Sequence, residues 1–185
     1  MKRLFDIVFS IMFIFFALPI YLFLTLFLVL ESGFPVFFIQ KRVGLKGKLF
    51  SIYKFRTMVK NANEIGPYNT AKDDPRITKT GRFFRKTSLD ELPQFFNVLK
   101  GDMSIVGPRP NVERQKAEYQ ISDWELRNSV RPGITGLAQI SGRSSCTFEE
   151  RLYYDITYIK SYSLLLDFKI IYRTVMSVVL KQGSF

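Results

Sequence analysis

The chain has 185 residues, 47% of them hydrophobic, with 27 Lys and Arg against 16 Asp and Glu for a formal net charge of +11, a length that suits one domain with a modest core. Apolar content joined to strong positive charge points to an anionic membrane surface or a polyanionic ligand, and nucleic acid would account for the charge but not for the 19 phenylalanines. There is no histidine and a single cysteine, Cys146, which excludes Cys–His catalysis, a His-rich zinc site and an intramolecular disulfide and leaves carboxylates, Lys, Tyr or Cys146 as acids and bases.

The first element is a run from Ile7 to Leu30 without a charged residue, long enough at ~1.5 Å per residue for about 30 Å of hydrocarbon. It is too long for a signal-peptide core, and Glu31-Ser32-Gly33 is a poor cleavage site. Lys2 and Arg3 precede the run, and Lys41, Arg42, Lys46, Lys48, Lys54 and Arg56 follow it. The positive-inside rule therefore assigns both ends to one face, which a single span does not satisfy. Pro19, near the middle of the run, removes a helix hydrogen bond. Two readings stay open: an ordinary spanning helix, or a re-entrant helix broken at Pro19, its freed carbonyls met by Ser10 or a neighbouring helix.

From Phe34 to Met58 two β-prone runs flank Gly44 and Gly47, the pattern of a β-hairpin with a basic tip. Residues 60–80 are polar and carry Gly66, Pro67 and Pro75, which predicts a loop or lid. Ser88-Leu89-Asp90-Glu91 matches a capping box and predicts a helix over 88–99 with Asp90 and Glu91 in its first turn. Pro93 favours a start nearer Asp90. Residues 111–128 read as another helix, Arg131–Gly136 as a turn, and the segment after Ser144 as two helices. The last of these spaces Leu164, Leu165, Phe168, Ile171, Tyr172, Val175, Val178 and Val179 helically, suiting either a core helix or one lying in a membrane interface.

Acidic residues in a first turn complement the helix dipole, and that is their commonest use. Adjacent helical residues point about 100° apart, so Asp90 and Glu91 are not a symmetric dyad and suit two different roles. A helix start attracts phosphate. Arg109, flanked by Pro108 and Pro110, is held extended as a bidentate phosphate ligand, although Gly-Pro-Arg-Pro is equally a plain loop. Lys54, Arg56, Arg82, Arg85 and Lys86 add positive charge. A carboxylate among such cations makes sense as a nucleophile or a Mg²⁺ ligand.

Four strings carry a resemblance: KRLFDI at 2–7, PVFFIQKRVGLKGKLFSIYKFRTM at 35–58, DPRITKTGRFFRKTSLDELPQFFNVLKGDMSIVGPRP at 74–110 and RPGITGLAQISGR at 131–143. Together they resemble the bacterial sugar transferases, the monotopic phosphoglycosyl transferases, in a small form without additional N-terminal transmembrane helices. The resemblance implies an α+β, mainly helical fold with a re-entrant membrane helix (1–33), interfacial amphipathic helices and a small β-hairpin in a membrane-associated catalytic unit (34–185). It implies transfer of a sugar-1-phosphate from a UDP-sugar to undecaprenyl phosphate, releasing UMP and initiating glycan assembly at the cytoplasmic face of the bacterial inner membrane. In the family pattern Asp90 is the nucleophile that carries a covalent phosphosugar, Glu91 a base or positioning group, and Mg²⁺ lies near Asp90. Lys54, Arg85 and Arg109 would bind phosphate, with Gln139 and Arg143 as further candidates. The chain departs from the pattern at Leu18, where relatives often carry a serine before the kinking proline. A non-catalytic basic adaptor on anionic lipid or nucleic acid is the competing reading; it assigns no role to the two carboxylates. Neither the sugar nor an oligomeric state is marked by any string.

Overall fold

The structure, a computed structural model, describes residues 1–66, 71, 74–142 and 146–180. Helix α1 occupies Lys2–Ser32. Strands β1 (Phe37–Val43) and β2 (Leu49–Phe55) follow, then α2 (Ala62–Ile65), α3 (Lys79–Thr87) and α4 (Gln94–Lys100). Strand β3 (Ser104–Val106), α5 (Ile121–Arg127) and β4 (Gly133–Thr135) lead to α6 (Leu137–Ser141), α7 (Phe148–Ser161) and α8 (Leu164–Val179). The expected mainly helical fold with a small hairpin is what forms.

β1 and β2 pair antiparallel from Phe37 opposite Phe55 to Val43 opposite Leu49. Alternation turns Phe50 and Ile52 into the core and puts Lys54 on the same face. The edge of β2 is covered by one side chain. Asn97, fully buried on α4, accepts from the Tyr53 N–H at 3.0 Å and donates to the Ser51 carbonyl at 2.7 Å. It pairs with the strand as a neighbouring backbone would, and so sets α4 against the hairpin.

Helix α1 is apolar and long enough to cross a membrane, the one such helix among the described residues. Tyr21, Leu24 and Leu28 pack with Val36, Phe55 and Phe84, and Phe13 stacks on Phe95 at 4.0 Å. Its other face exposes Val8, Ile11, Met12, Phe15, Phe16, Leu22, Phe23 and Leu26. Pro19 lies inside this helix, and helical pairing resumes on both sides of it, so the expected break is a proline within one helix. Ser10 does not meet freed carbonyls, because its buried hydroxyl makes no hydrogen bond among the described residues.

Both ends of α1 are tied to the same body. Near the start, Lys2 pairs with Asp167, Arg3 donates to the Val98 and Leu99 carbonyls, and Asp6 accepts from Ser104 and the Ile105 N–H. At the finish, Arg56 donates to the Ser32 and Gly33 carbonyls and the Thr80 N–H donates to Glu31. Helix α8 buries Asp167 and Ile170 and exposes Leu165, Phe168, Tyr172, Val175 and Val179. The edge-on contact of Phe168 with Phe5 joins its apolar face to that of α1.

Three sequence expectations are corrected. Ser88 does not cap a following helix: it adopts φ +57°, closes α3 and donates its N–H to the Arg85 and Phe84 carbonyls. A 3₁₀ turn over Leu89–Glu91 comes next, and α4 begins only after Pro93, whose missing N–H and fixed φ suit the entry to a helix. The helix expected over 111–128 is a 3₁₀ stretch at Glu113–Glu118 and the short α5. Between them Tyr119 is extended and its ring packs on Trp124 and Phe148. The turn expected at 131–136 holds β4, parallel to β3 with Ser104 opposite Gly133 and Val106 opposite Thr135. A Cβ on Gly133 would lie 2.1 Å from the Gly107 nitrogen, so this close approach needs glycine.

Candidate active site

The turn between α3 and α4 brings Asp90 and Glu91 to the wall of a cavity of about 1160 Å³. Lys54, Arg85, Arg109 and Gln139 line it too, so the structure gathers the predicted residues around one space. Arg143 lies outside the described residues. The two carboxylates have opposite surroundings.

Glu91 is held by cations. Its Oε1 accepts from Lys54 Nζ at 2.7 Å and from Arg109 Nη2 at 2.7 Å. Burial works to raise its pKa, but the charges and hydrogen bonds of Arg109 and Lys54 prevail and hold the carboxyl well below the usual carboxylate range. Asp90 is buried and accepts no hydrogen bond among the described residues. Burial pushes its pKa up to about 6, with Glu91's charge adding to the rise while Lys54, Arg85 and Arg109 moderate it. It is thus ionised at neutral pH yet poorly solvated, the condition of a reactive oxygen nucleophile. Arg85 is also part-buried, which lowers its pKa; its Nε donates to Thr57 Oγ1 and its charge faces Asp90.

Since α4 starts at Gln94, after both carboxylates, the expected phosphate attraction of a helix start is replaced by side-chain cations. Those cations are placed by distant parts of the chain. Lys54 is aimed by the hairpin's alternation and by Asn97. Arg109 follows β3 on the Gly107-Pro108 corner, and two further arginines hold its loop: Arg127 donates to the Arg109 carbonyl and Arg42 to the Pro110 carbonyl. Arg127 is itself fixed by Asp155 at 2.8 Å, both almost fully buried. Sequence reasoning missed Arg127, Asp155 and Arg42. Their only signal is a charge at an inward position of a helix or strand, and short elements hide which positions face inward.

Gln139 is reached by the same cavity, with both amide atoms buried and unpaired among the described residues. No group of three His, Cys, Asp or Glu side chains fit for a metal occurs among the described residues. Glu91 is already neutralised, so Asp90 is the carboxylate left for a divalent ion. One carboxylate fits Mg²⁺, which keeps several waters and takes its remaining ligands from substrate phosphates.

A family profile described as bacterial sugar transferase matches residues 1–181. The chain is 44% identical over 200 residues to the undecaprenyl-phosphate galactose phosphotransferase of Salmonella typhimurium, covering 100% of the chain and 42% of that relative. It is 45% identical to the uncharacterized sugar transferase EpsL of Bacillus subtilis, covering 99% of the chain and 89% of EpsL. The UDP-glucose:undecaprenyl-phosphate glucose-1-phosphate transferase of Escherichia coli is 40% identical over the whole chain, which spans 41% of its length. The chain thus covers about two fifths of the two relatives with named activities. Because profile and relatives both run through the Asp90–Glu91 turn and the cationic loops around it, the chain belongs to the bacterial sugar transferase family.

Proposed function

We propose that this chain transfers a sugar-1-phosphate from a UDP-sugar to undecaprenyl phosphate through a covalent intermediate on Asp90. The observation that carries this reading is the asymmetry of the carboxylates: Glu91 is saturated by Lys54 and Arg109, while buried Asp90 is unengaged beside them. In the first step an Asp90 oxygen forms a bond to the sugar-bearing phosphorus and the bond from that phosphorus to UMP breaks. In the second, a phosphate oxygen of undecaprenyl phosphate attacks the same phosphorus, the Asp90–phosphorus bond breaks, and the free carboxylate returns with polyprenyl diphosphate-sugar. Lys54 and Arg109 bind the donor's phosphates and stabilise the charge that develops on them. Glu91 orients these two cations. Mg²⁺ held by Asp90 and the diphosphate would supply further charge neutralisation.

Membrane association at the cytoplasmic face belongs to the same proposal, with α1 entering and leaving on one side. It is supported by the body that touches both ends of α1 and by the shared apolar face of α1 and α8.

The test is a rapid-quench measurement of UMP with a panel of UDP-sugars before acceptor is added. One donor should give a burst stoichiometric with protein and an adduct on the Asp90 peptide by mass spectrometry; Asp90→Asn should lose both. An adduct that survives this substitution overturns the nucleophile. Chelation by EDTA should stop UMP release and added Mg²⁺ restore it.

A further inference from the structure

Arg56 is 7% exposed and lines the same cavity. Its Nη2 closes the end of α1, donating to the Ser32 carbonyl at 2.9 Å, the Ser32 hydroxyl at 2.9 Å and the Gly33 carbonyl at 2.6 Å. That contact accounts for one nitrogen. Nε and Nη1 are buried and have no hydrogen-bond partner among the described residues, and the described ion pairs include none to Arg56. Guanidinium N–H groups out of water without an acceptor are costly, so this cluster is built for an anion. A second cation stands beside it: Lys60 Nζ is 3.7 Å from where a Cβ on Gly33 would sit.

Position narrows the anion. The Arg56 N–H donates to the Val36 carbonyl, continuing the hairpin pairing past Phe55. Extended chain therefore puts Lys54 and Arg56 on one side, roughly 6–7 Å apart along the strand. Arg85, which donates to Thr57 and faces Asp90, is their neighbour. An anion on Arg56 would share with an anion on Lys54 and Arg109 the one cavity that Asp90 lines. Beside the cluster the chain neighbours of Gly33 and Lys60, Phe34 and Val59, expose apolar side chains. An anion on a long hydrocarbon fits that rim. A terminal phosphate monoester, with three free oxygens and up to two charges, suits a nearly enclosed cation better than the singly charged, doubly esterified phosphate of a phospholipid.

We propose that Arg56 and Lys60 form a second anion subsite, which takes the phosphate monoester of the polyprenyl acceptor at the end of α1. This rests on the transferase reading and assigns its acceptor half. The test is steady-state kinetics of the full chain in detergent with Arg56→Lys, which keeps one cation for the α1 carbonyls and removes the remaining N–H groups. The KM for a short-chain polyprenyl phosphate should rise about tenfold, the size of one lost charge-assisted hydrogen bond, with less than about a twofold change in the KM for the UDP-sugar. Equal changes in both, or none in the acceptor's, overturn the assignment. Should Arg56→Lys not fold, the exposed Lys60→Glu carries the same test with the same two outcomes. If no UDP-sugar turns over, the transferase reading fails separately, and ³¹P line broadening of the polyprenyl phosphate with wild-type protein decides the subsite. Broadening that Lys60→Glu reduces and that phosphatidylglycerol or inorganic phosphate displaces only weakly supports it; equal displacement by either overturns it.

Discussion

Asp90 and Glu91 are neighbours in sequence, yet their environments push their proton affinities apart, and the sign of each effect yields a measurement. With Asp90 raised to about 6, the rate of UMP release at low donor should fall about tenfold per pH unit below that value, because the attacking form is the carboxylate. The same shift bears on stability. An unfolded Asp titrates near 3.9, so the folded chain binds this proton more tightly and loses stability as pH rises from roughly 4 to 6. Above that window the cost is constant at roughly 2–3 kcal/mol. Asp90→Asn is therefore expected to raise Tm at pH 7.5 while abolishing the adduct, the gain shrinking to nothing near pH 4; a lowered Tm at pH 7.5 would contradict a desolvated Asp90. The residue types at 90 and 91 were readable as a site from their cationic company in the sequence. Their helical spacing also marked them as unequal; that Glu91 is the neutralised one was not readable, since it depends on Lys54 and Arg109, residues 37 and 18 positions from Glu91.

At the level of elements, legibility follows the length of the pattern. The hairpin was readable because seven-residue strands alternate and two glycines mark the tip. Strand β4 was not, since three residues carry no period and its defining feature is backbone proximity between Gly133 and Gly107. The turn holding the carboxylates was displaced because a capping-box match at Ser88 is a local signal, and Pro93 with the end of α3 overrules it. Contact between α3 and the hairpin gives the test at this scale. A Cβ at Gly81 would fall 2.0 Å from the Thr57 carbonyl oxygen, backbone that has no rotamer by which to yield. Gly81→Ala should cost roughly 1–3 kcal/mol or more by overpacking. Read by thermal unfolding in detergent, it should also loosen Arg85, whose partner is Thr57. An unchanged Tm would mean that α3 does not seat on Thr57.

Across the whole molecule, the apolar run from Ile7 to Leu30 announces itself in composition, whereas the contacts that decide its path do not. Lys2 with Asp167 and Asp6 with Ser104 join residues 165 and 98 positions apart, and such pairs leave no periodicity to read. They predict topology directly: in a Cys146→Ser background, a tag ahead of Met1 and a cysteine replacing Lys48 should be reached from the same side of inverted vesicles. Reagents that reach them from opposite sides would establish a spanning α1.

The clamp on Glu91 also has a kinetic consequence. The resting site already contains an anion, so a diphosphate must displace Glu91 from Lys54 and Arg109 rather than settle on bare cations. The carboxylate is then an internal competitor that weakens the hold on every phosphate, UMP included, and lets the site empty after each transfer. Removing it with Glu91→Gln should tighten UMP inhibition severalfold while slowing turnover, a slow-release enzyme in place of a fast one.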